Sequence, residues 1–410
     1  MSSSLTIVLS SFYFLAAISI WLGLVSLRGG VRFARYLKNE LAKSYPEFRP
    51  FVTVMVPCRG IDDGLAENVL AILAQDYPLF EIIFVSDSAA DQALTIVKEA
   101  CLSLDQQTGP ASRIVIAGPS TDMGQKVHNL RAAVAEADAQ SEVFAFVDTD
   151  ARPPRTWLRH LVAPLRDPEI GAATGYRWFV APGGFASHLR SVWNAAIASA
   201  LGAQSEKNFC WGGSTAIRRA TFERLCIAER WRGAASDDFM LTCALHEAGL
   251  PIKFVPQCLT PSFEGCSFRE LIEFTTRQLK ITRAYAPHLW KAVLIGSALF
   301  VLTFFGGITL VIARAAIGLP LITLVLLLLI ILGLGVTKSY LRLRAVRRVI
   351  SDPGLRSFAT MLAHVAWWPI ASALFLFNAL AAAISRRIDW RGITYELKSP
   401  NETVIIRRER

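Results

Sequence analysis

Cysteine chemistry is nearly missing from this chain. Its seven cysteines in 410 residues include no Cys-x-x-Cys pair, which leaves no zinc or redox signature and fits reduced thiols in a cytosolic domain. Acidic residues are also short: 33 aspartates and glutamates face 43 lysines and arginines, for a net charge of +10. No internal repeat and no long low-complexity tract is present, which excludes solenoid arrays and extended biased segments. The basic excess does not indicate nucleic acid, because much of it flanks apolar segments, where membrane orientation and anionic lipid account for it.

What the chain has in abundance is apolar surface. At 53% hydrophobic residues and a mean hydropathy of +0.38 it is too apolar for an ordinary soluble protein of this length. Residues 5–27 form an uncharged stretch of spanning length, followed by Arg28, Arg32, Arg35 and Lys38, so the chain is expected to enter the cytoplasm there. A cleaved signal peptide competes with a retained anchor. The anchor is favoured because no basic segment precedes the stretch and no convincing small-x-small site follows it.

Residues 292–313 and 319–337 read as a transmembrane hairpin, after which Lys338, Arg342, Arg344, Arg347 and Arg348 hold the chain in the cytoplasm. A last apolar stretch at 361–384 either spans or re-enters. Spanning would put Arg386, Arg387, Arg391, Arg407, Arg408 and Arg410 outside, against the charge rule, whereas Pro369 and the Trp367-Trp368 pair suit a re-entrant or interfacial segment. The expected organisation is an anchor over 1–27, a cytosolic domain over 28–290, a hairpin over 291–337, a basic loop over 338–359, a third carboxyl-terminal membrane segment over 360–385 and a basic tail over 386–410.

Between residues 40 and 290, β-rich runs alternate with helical patterns, the signature of an α/β sheet. Strands are expected at 51–56, 81–85, 113–117, 143–147 and 172–176, with helices between them, one running from Ala90 to Leu104. Polar residues collect at the carboxyl ends of these strands, where an open parallel sheet binds its ligand.

Asp148-Thr149-Asp150 directly follows the apolar run 143–147. Two carboxylates on one short turn suit a hard divalent cation that also bridges the phosphates of a nucleotide diphosphate, although Asp-x-Asp by itself is more often a turn or a cap. Asp87 repeats the placement after the second strand and reads either as an acceptor for a base or ribose or as a helix N-cap. Lys126 opens a helix and either meets a phosphate there or is one more solvated lysine, while His128 reads as structural.

Trp211-Gly212-Gly213 supplies backbone that a substrate can approach closely and an indole on which a sugar could stack, unless Trp211 is simply core. Asp237 and Asp238 precede a helix; one suffices as a cap, and the other is a candidate general base. Arg277, Lys280 and Arg283 recur every three residues on a basic, aromatic helix before the hairpin, within reach of a diphosphate or of lipid headgroups.

In this order the pieces resemble family-2-type inverting glycosyltransferases of the GT-A fold, a Rossmann-like α/β class, and most closely the ceramide glucosyltransferase group. The resemblance covers nearly the whole chain. Asp87, Asp148 and Asp238 match the group's three separated aspartates, the third being its catalytic base. Residues 124–130 match its lysine-asparagine segment, and Ser187-His188 stands where animal enzymes carry a functional histidine. Trp390-Arg391-Gly392 followed by Tyr395 resembles a tail motif of bacterial relatives. The pattern departs at the (Arg/Gln)-x-x-Arg-Trp motif, which reads Arg277-Gln278-Leu279-Lys280-Ile281, so the charge is kept while the planar fork and the indole are lost.

The resemblance implies hexose transfer, from UDP-glucose first among UDP-sugars, to the hydroxyl of ceramide or of a bacterial membrane lipid in the cytosolic leaflet. Asp238 with Asp237 would be catalytic. Asp87, Lys126, Asp148, Arg277, Lys280 and Arg283 would hold the donor, and His188, Trp211, Gly212 and Gly213 the acceptor. Asp148 and Asp150 would carry Mg²⁺ or Mn²⁺. The expected location is a multi-pass protein of the bacterial plasma membrane with a cytosolic catalytic domain. A processive polysaccharide synthase and a non-catalytic scaffold derived from such an enzyme are the competing classes. Three or four apolar segments and Ile281 speak against the first, and the three filled aspartate positions against the second.

Overall fold

The computed structural model describes residues 3–103 and 109–408; the expected helix end at Leu104 and the tail's Arg410 lie outside the described residues. Helix α1 (Ser3–Leu41) is 39 residues long, about 58 Å at 1.5 Å per residue, well beyond a bilayer core of about 30 Å. It therefore does more than the expected 1–27 anchor. Its last turns bury Phe33, Tyr36 and Leu37 against the α/β domain, and the Tyr36 hydroxyl donates to the Phe254 carbonyl at 2.6 Å.

The domain is built on β1 (Val52–Pro57), β2 (Phe80–Ser86), β3 (Ala111–Ile116), β4 (Val143–Val147), β5 (Ala172–Phe179), β6 (Ser214–Arg218) and β7 (Ile252–Ser262), in the order β3-β2-β1-β4-β6-β5-β7. The parallel sheet expected from the sequence is in fact mixed, because β6 runs antiparallel to both β4 and β5. Alternation along β1 and β2 sends Val54, Val56, Ile82 and Phe84 to one face and Met55, Ile83 and Val85 to the other. The first face is covered by α2 (Leu65–Leu73), α3 (Gln92–Leu102) and α5 (Trp157–Val162). The second packs on α4 (Gln125–Ala135), the short α7 (Arg219–Arg224) and α8 (Ile227–Arg230), and α9 (Asp237–Glu247). β2 and β4 flank β1, so the winding reverses between β1 and β4, and a crevice opens at their carboxyl ends.

Helices α6 (Phe185–Ala198) and α10 (Phe268–Tyr285) lie beside the apolar carboxyl-terminal helices. Ser267 starts α10 with a reciprocal capping box to Glu270. Then come α11 (Pro287–Ala316) and α12 (Ile322–Val346), both long and apolar enough to cross a membrane, as is α1. Gly23 of α1 lies against the Leu334 side chain of α12, whose terminal methyl would have to move to admit a Cβ there. After α13 (Pro353–Arg356), helices α14 (Phe358–Ala366) and α15 (Trp368–Ile384) form a pair bent by 58°. Ser357 caps the first, and Pro369 occupies the first turn of the second, where its missing N–H costs nothing.

The expected basic tail is instead a three-stranded antiparallel sheet of β8 (Arg387–Trp390), β9 (Ile393–Ser399) and β10 (Glu402–Arg408). Ile388, Ile393, Tyr395 and Leu397 are buried in the α/β core, a period-2 face hidden among charged neighbours. Leu355 is buried on the same domain, so both ends of the bent pair rest on the body that precedes α11.

Candidate active site

The carboxyl end of β4 and the amino end of α9 bring Asp148 and Asp237 to one ammonium group. Lys126 Nζ lies 2.7 Å from Asp148 Oδ1 and 3.4 Å from Asp237 Oδ1. Gly124 makes this possible, since any Cβ there would sit 2.8 Å from the Ala235 carbonyl oxygen and push α4 away from the loop that starts α9. Burial opposes the charge on Lys126, but Asp148, Asp237 and Asp238 outweigh it and raise its pKa. It is a buried counterion, not the solvated alternative.

Arg177 on β5 completes the network. It donates to Asp150 Oδ2 at 3.0 Å and to Oδ1 at 3.4 Å, and reaches within 3.6 Å of Asp148 Oδ2. Burial alone would raise the Asp150 pKa, yet Arg177, Arg391 and Lys126 bring it below the ordinary value. Among the described residues no three His, Cys, Asp or Glu side chains form a metal cage.

Asp238 is only partly buried and accepts from Gly212 N at 3.2 Å, from Phe239 N at 2.8 Å and from the Ser236 hydroxyl. Asp237 is buried, and desolvation first, then Asp238 and Asp148, push its carboxyl up to about 7 despite Lys126. Folded Asp237 thus holds its proton between the unfolded value of 3.8 and about 7, so its contribution to stability is present at low pH and lost as pH rises through 7. An Asp237→Asn protein should therefore gain thermal midpoint relative to wild type as pH goes from 5 to 8. A constant difference across that range would show that Asp237 does not titrate there.

Gly212 serves these groups as well: a Cβ would stand 2.7 Å from Lys126 Nζ and collide with the Asp237 carboxylate. Its bareness is set by the carboxylate cluster, and that of Gly213 by the neighbouring Trp211 ring. Trp211 is buried, packs at 5.5 Å on Tyr176 and carries the Arg177 guanidinium over its face at 5.0 Å.

Asp87 is not a helix cap. That role falls to Asp91, which accepts from Ala93 N, while Asp87 pairs with Arg59 and with Arg408 at 3.2 Å. A cleft of about 470 Å³ lies here, lined by Arg59, Gly60, Asp87, Asp91 and Arg391. A second, larger cavity of about 1140 Å³ has Asp148, Asp237, Asp238, Trp211 and Arg277 at one end and residues of α1, α11, α12 and α15 at the other.

Of the basic residues on α10, only Arg277 faces this cavity. Lys280 donates to the Arg387 carbonyl at 2.6 Å, and Arg283 to the Ala382 and Ala383 carbonyls. Steps of three residues turn about 300° each, so the three side chains fan across the helix instead of sharing one direction. Burial first, then Arg391 and Arg177, push the Arg277 pKa down to about 10, against the pull of Asp150 and Glu273. His188 does not line the cavity; its Nδ1 meets the Gly184 carbonyl at 2.8 Å and its ring packs on Trp367 at 5.9 Å.

Residues 11–403 match the glycosyl transferase family 21. The chain belongs to that family. Hyaluronan synthase of Streptococcus pyogenes is 28% identical over 187 residues, 42% of this chain and 43% of the synthase. Ceramide glucosyltransferase 3 of Caenorhabditis elegans is 26% identical over 116 residues, 26% of this chain and 25% of that protein. The chain thus matches less than half the length of either curated relative. A mannosyltransferase of Pyrobaculum calidifontis, solved with GDP-Man and Mn²⁺, is 20% identical with a TM-score of 0.49, covering 90% of this chain and 98% of that one.

The family 21 fold here is GT-A-like: a mixed seven-stranded α/β sheet with long apolar helices at both ends of the chain. One polar contributor to its site, Arg177, escaped the sequence reading, and two more, Trp390 and Arg391, were noted there only as a tail motif and not as site residues. Arg177 lies one residue beyond the expected strand 172–176, within the longer observed β5, with no motif to flag it. Trp390 lines the large cavity with Arg277 at 5.5 Å over its ring. Arg391 forks onto Asp62 at 2.6 and 2.7 Å. It stands at φ +52° beside Gly392 at +72°, in a two-residue hairpin turn that normally takes Asn or Asp at the first position, and the one hint in the sequence was Gly392 between two strand-like runs.

Proposed function

We propose that this family 21 glycosyltransferase moves a hexose, glucose foremost, from a UDP-sugar to the hydroxyl of a membrane lipid, with inversion at the anomeric carbon. The large cavity carries this reading. It joins Asp237 and Asp238 to the flanks of α1, α11 and α12, so an amphiphile lying among those helices can present its hydroxyl to the carboxylates without leaving the apolar phase. Asp238 accepts the hydroxyl proton during attack, and Asp87 with Arg59 holds the uridine in the smaller cleft. Arg391 at the smaller cleft and Arg277 at the large cavity meet the diphosphate.

Asp148 and Asp150 fit a divalent cation of the Mg²⁺ type, which takes one or two carboxylates plus substrate phosphates and so needs no third protein acid. When bound, Mg²⁺ or Mn²⁺ neutralises charge on the departing diphosphate. The bent pair α14–α15 re-enters and returns to the cytosolic side, because a single crossing would separate Leu355 from Ile388, which are buried on the same domain.

Membranes containing the protein, given labelled UDP-sugars with Mg²⁺ or Mn²⁺, are expected to place label in extractable lipid, and chelation to abolish it. Label in insoluble polymer would favour a processive synthase, the reading the likeness to hyaluronan synthase supports. Arg391→Ala should raise the donor KM several-fold with little change in kcat, as loss of uniform binding does. An unchanged donor KM would remove Arg391 from the donor site.

A further inference from the structure

The large cavity has a second polar part, where α12 lines it. Ile331, Leu334, Gly335, Lys338, Ser339 and Arg342 line it at helical spacing, so one face of α12 changes from apolar to cationic as it nears the domain. Arg342 is only 3% exposed, its Nε is buried without an acceptor, and its guanidinium makes no hydrogen bond or ion pair among the described residues. Lys338 beside it has only the Ser26 hydroxyl, at 2.6 Å. The acids on the cavity wall are engaged elsewhere: Asp148 and Asp237 with Lys126, and Asp238 with Ser236 and two backbone N–H groups. Glu206 is exposed and pairs with neither cation.

A buried guanidinium without an anion is costly, and orientation by the charge rule does not call for burial, since an outward arginine such as Arg344 serves that purpose. Both cations are open to a cavity reached from among the apolar helices. We propose that this part of the cavity is an anion site that takes the phosphate of a membrane phospholipid. The fork of Arg342 grips two phosphate oxygens, Lys338 supplies a third charge-assisted bond, and the acyl chains lie along the apolar wall formed by Ile331 and Leu334 of α12 and by α1 and α11.

The inference rests on α12 crossing the membrane, not on sugar transfer, and its test contains no turnover. The full-length protein in a neutral detergent is titrated with phosphatidylglycerol, with diacylglycerol of the same chains, and with inorganic phosphate, while the thermal midpoint is read. Phosphatidylglycerol should raise the midpoint, and the other two should not. Arg342→Gln should bind phosphatidylglycerol about tenfold more weakly, as loss of a charge-assisted bond predicts, with an unliganded midpoint no lower than wild type because an unpaired buried charge is gone. Lys338→Gln, at a less buried position, should weaken the same response and carries the test if the first variant does not fold. Equal stabilisation by diacylglycerol, a full response to inorganic phosphate alone, or an unchanged phosphatidylglycerol response in both variants would each overturn the proposal.

Discussion

Asp238→Asn should lower sugar transfer about a thousandfold while leaving UDP affinity within a factor of two of wild type. The side chain keeps its shape, and an amide oxygen at the Oδ1 position still accepts from Phe239 N and the Ser236 hydroxyl, while the bond from Gly212 N to Oδ2 is lost. What disappears is the lone pair able to take a proton from the acceptor hydroxyl. Initial transfer rates and calorimetric titration with UDP, run on one preparation, separate the two effects. Retention of transfer within tenfold of wild type would move the base to Asp237, whose carboxyl pKa of about 7 is closer to working pH.

Lys126→Met should be the most damaging single change, for activity and stability together. Lys126, Asp148 and Asp237 have side-chain exposures of 15%, 18% and 6%, so solvent screens them weakly. Removing the shared cation leaves the partly buried Asp148 unpaired beside Asp237, whose carboxyl then holds its proton more tightly, a loss on the order of 3 kcal/mol by comparison with other broken buried pairs. A lysine in the first turn of α4 also works against the helix dipole, so its position there is explained by the acids it holds. A fall in thermal midpoint at pH 7.5, with transfer down at least about a hundredfold, is the expected result. A stable protein with normal transfer would mean that Arg177 alone can hold the acids apart.

The apolar spans and the carboxylates at strand ends were legible because each is written in a short contiguous run. Residues 143–147 are all buried as a central strand, and Asp148 follows them directly. Elsewhere local pattern misled. Three basic residues on α10 looked alike, but only Arg277 meets the cavity, because the tail sheet and the end of α15 take the other two. The tail itself looked like loose positive charge, since its buried positions are few, are separated by polar or charged residues such as Asp389, Arg391, Thr394 and Glu396, and are flanked by arginines.

By itself the sequence determined that the chain carries apolar segments of membrane-spanning length and an α/β domain with acids at the carboxyl ends of its strands, since hydropathy and strand periodicity are properties of neighbouring residues. Only the tertiary structure decided the partners of those acids. Arg177 comes to Asp150 across 27 residues and Arg408 to Asp87 across 321, pairings with no local periodicity to announce them. The same holds for the return of the α14–α15 pair to the domain it left: hydropathy measures how apolar a segment is, while its ends are fixed by where Leu355 and Ile388 find a core to enter.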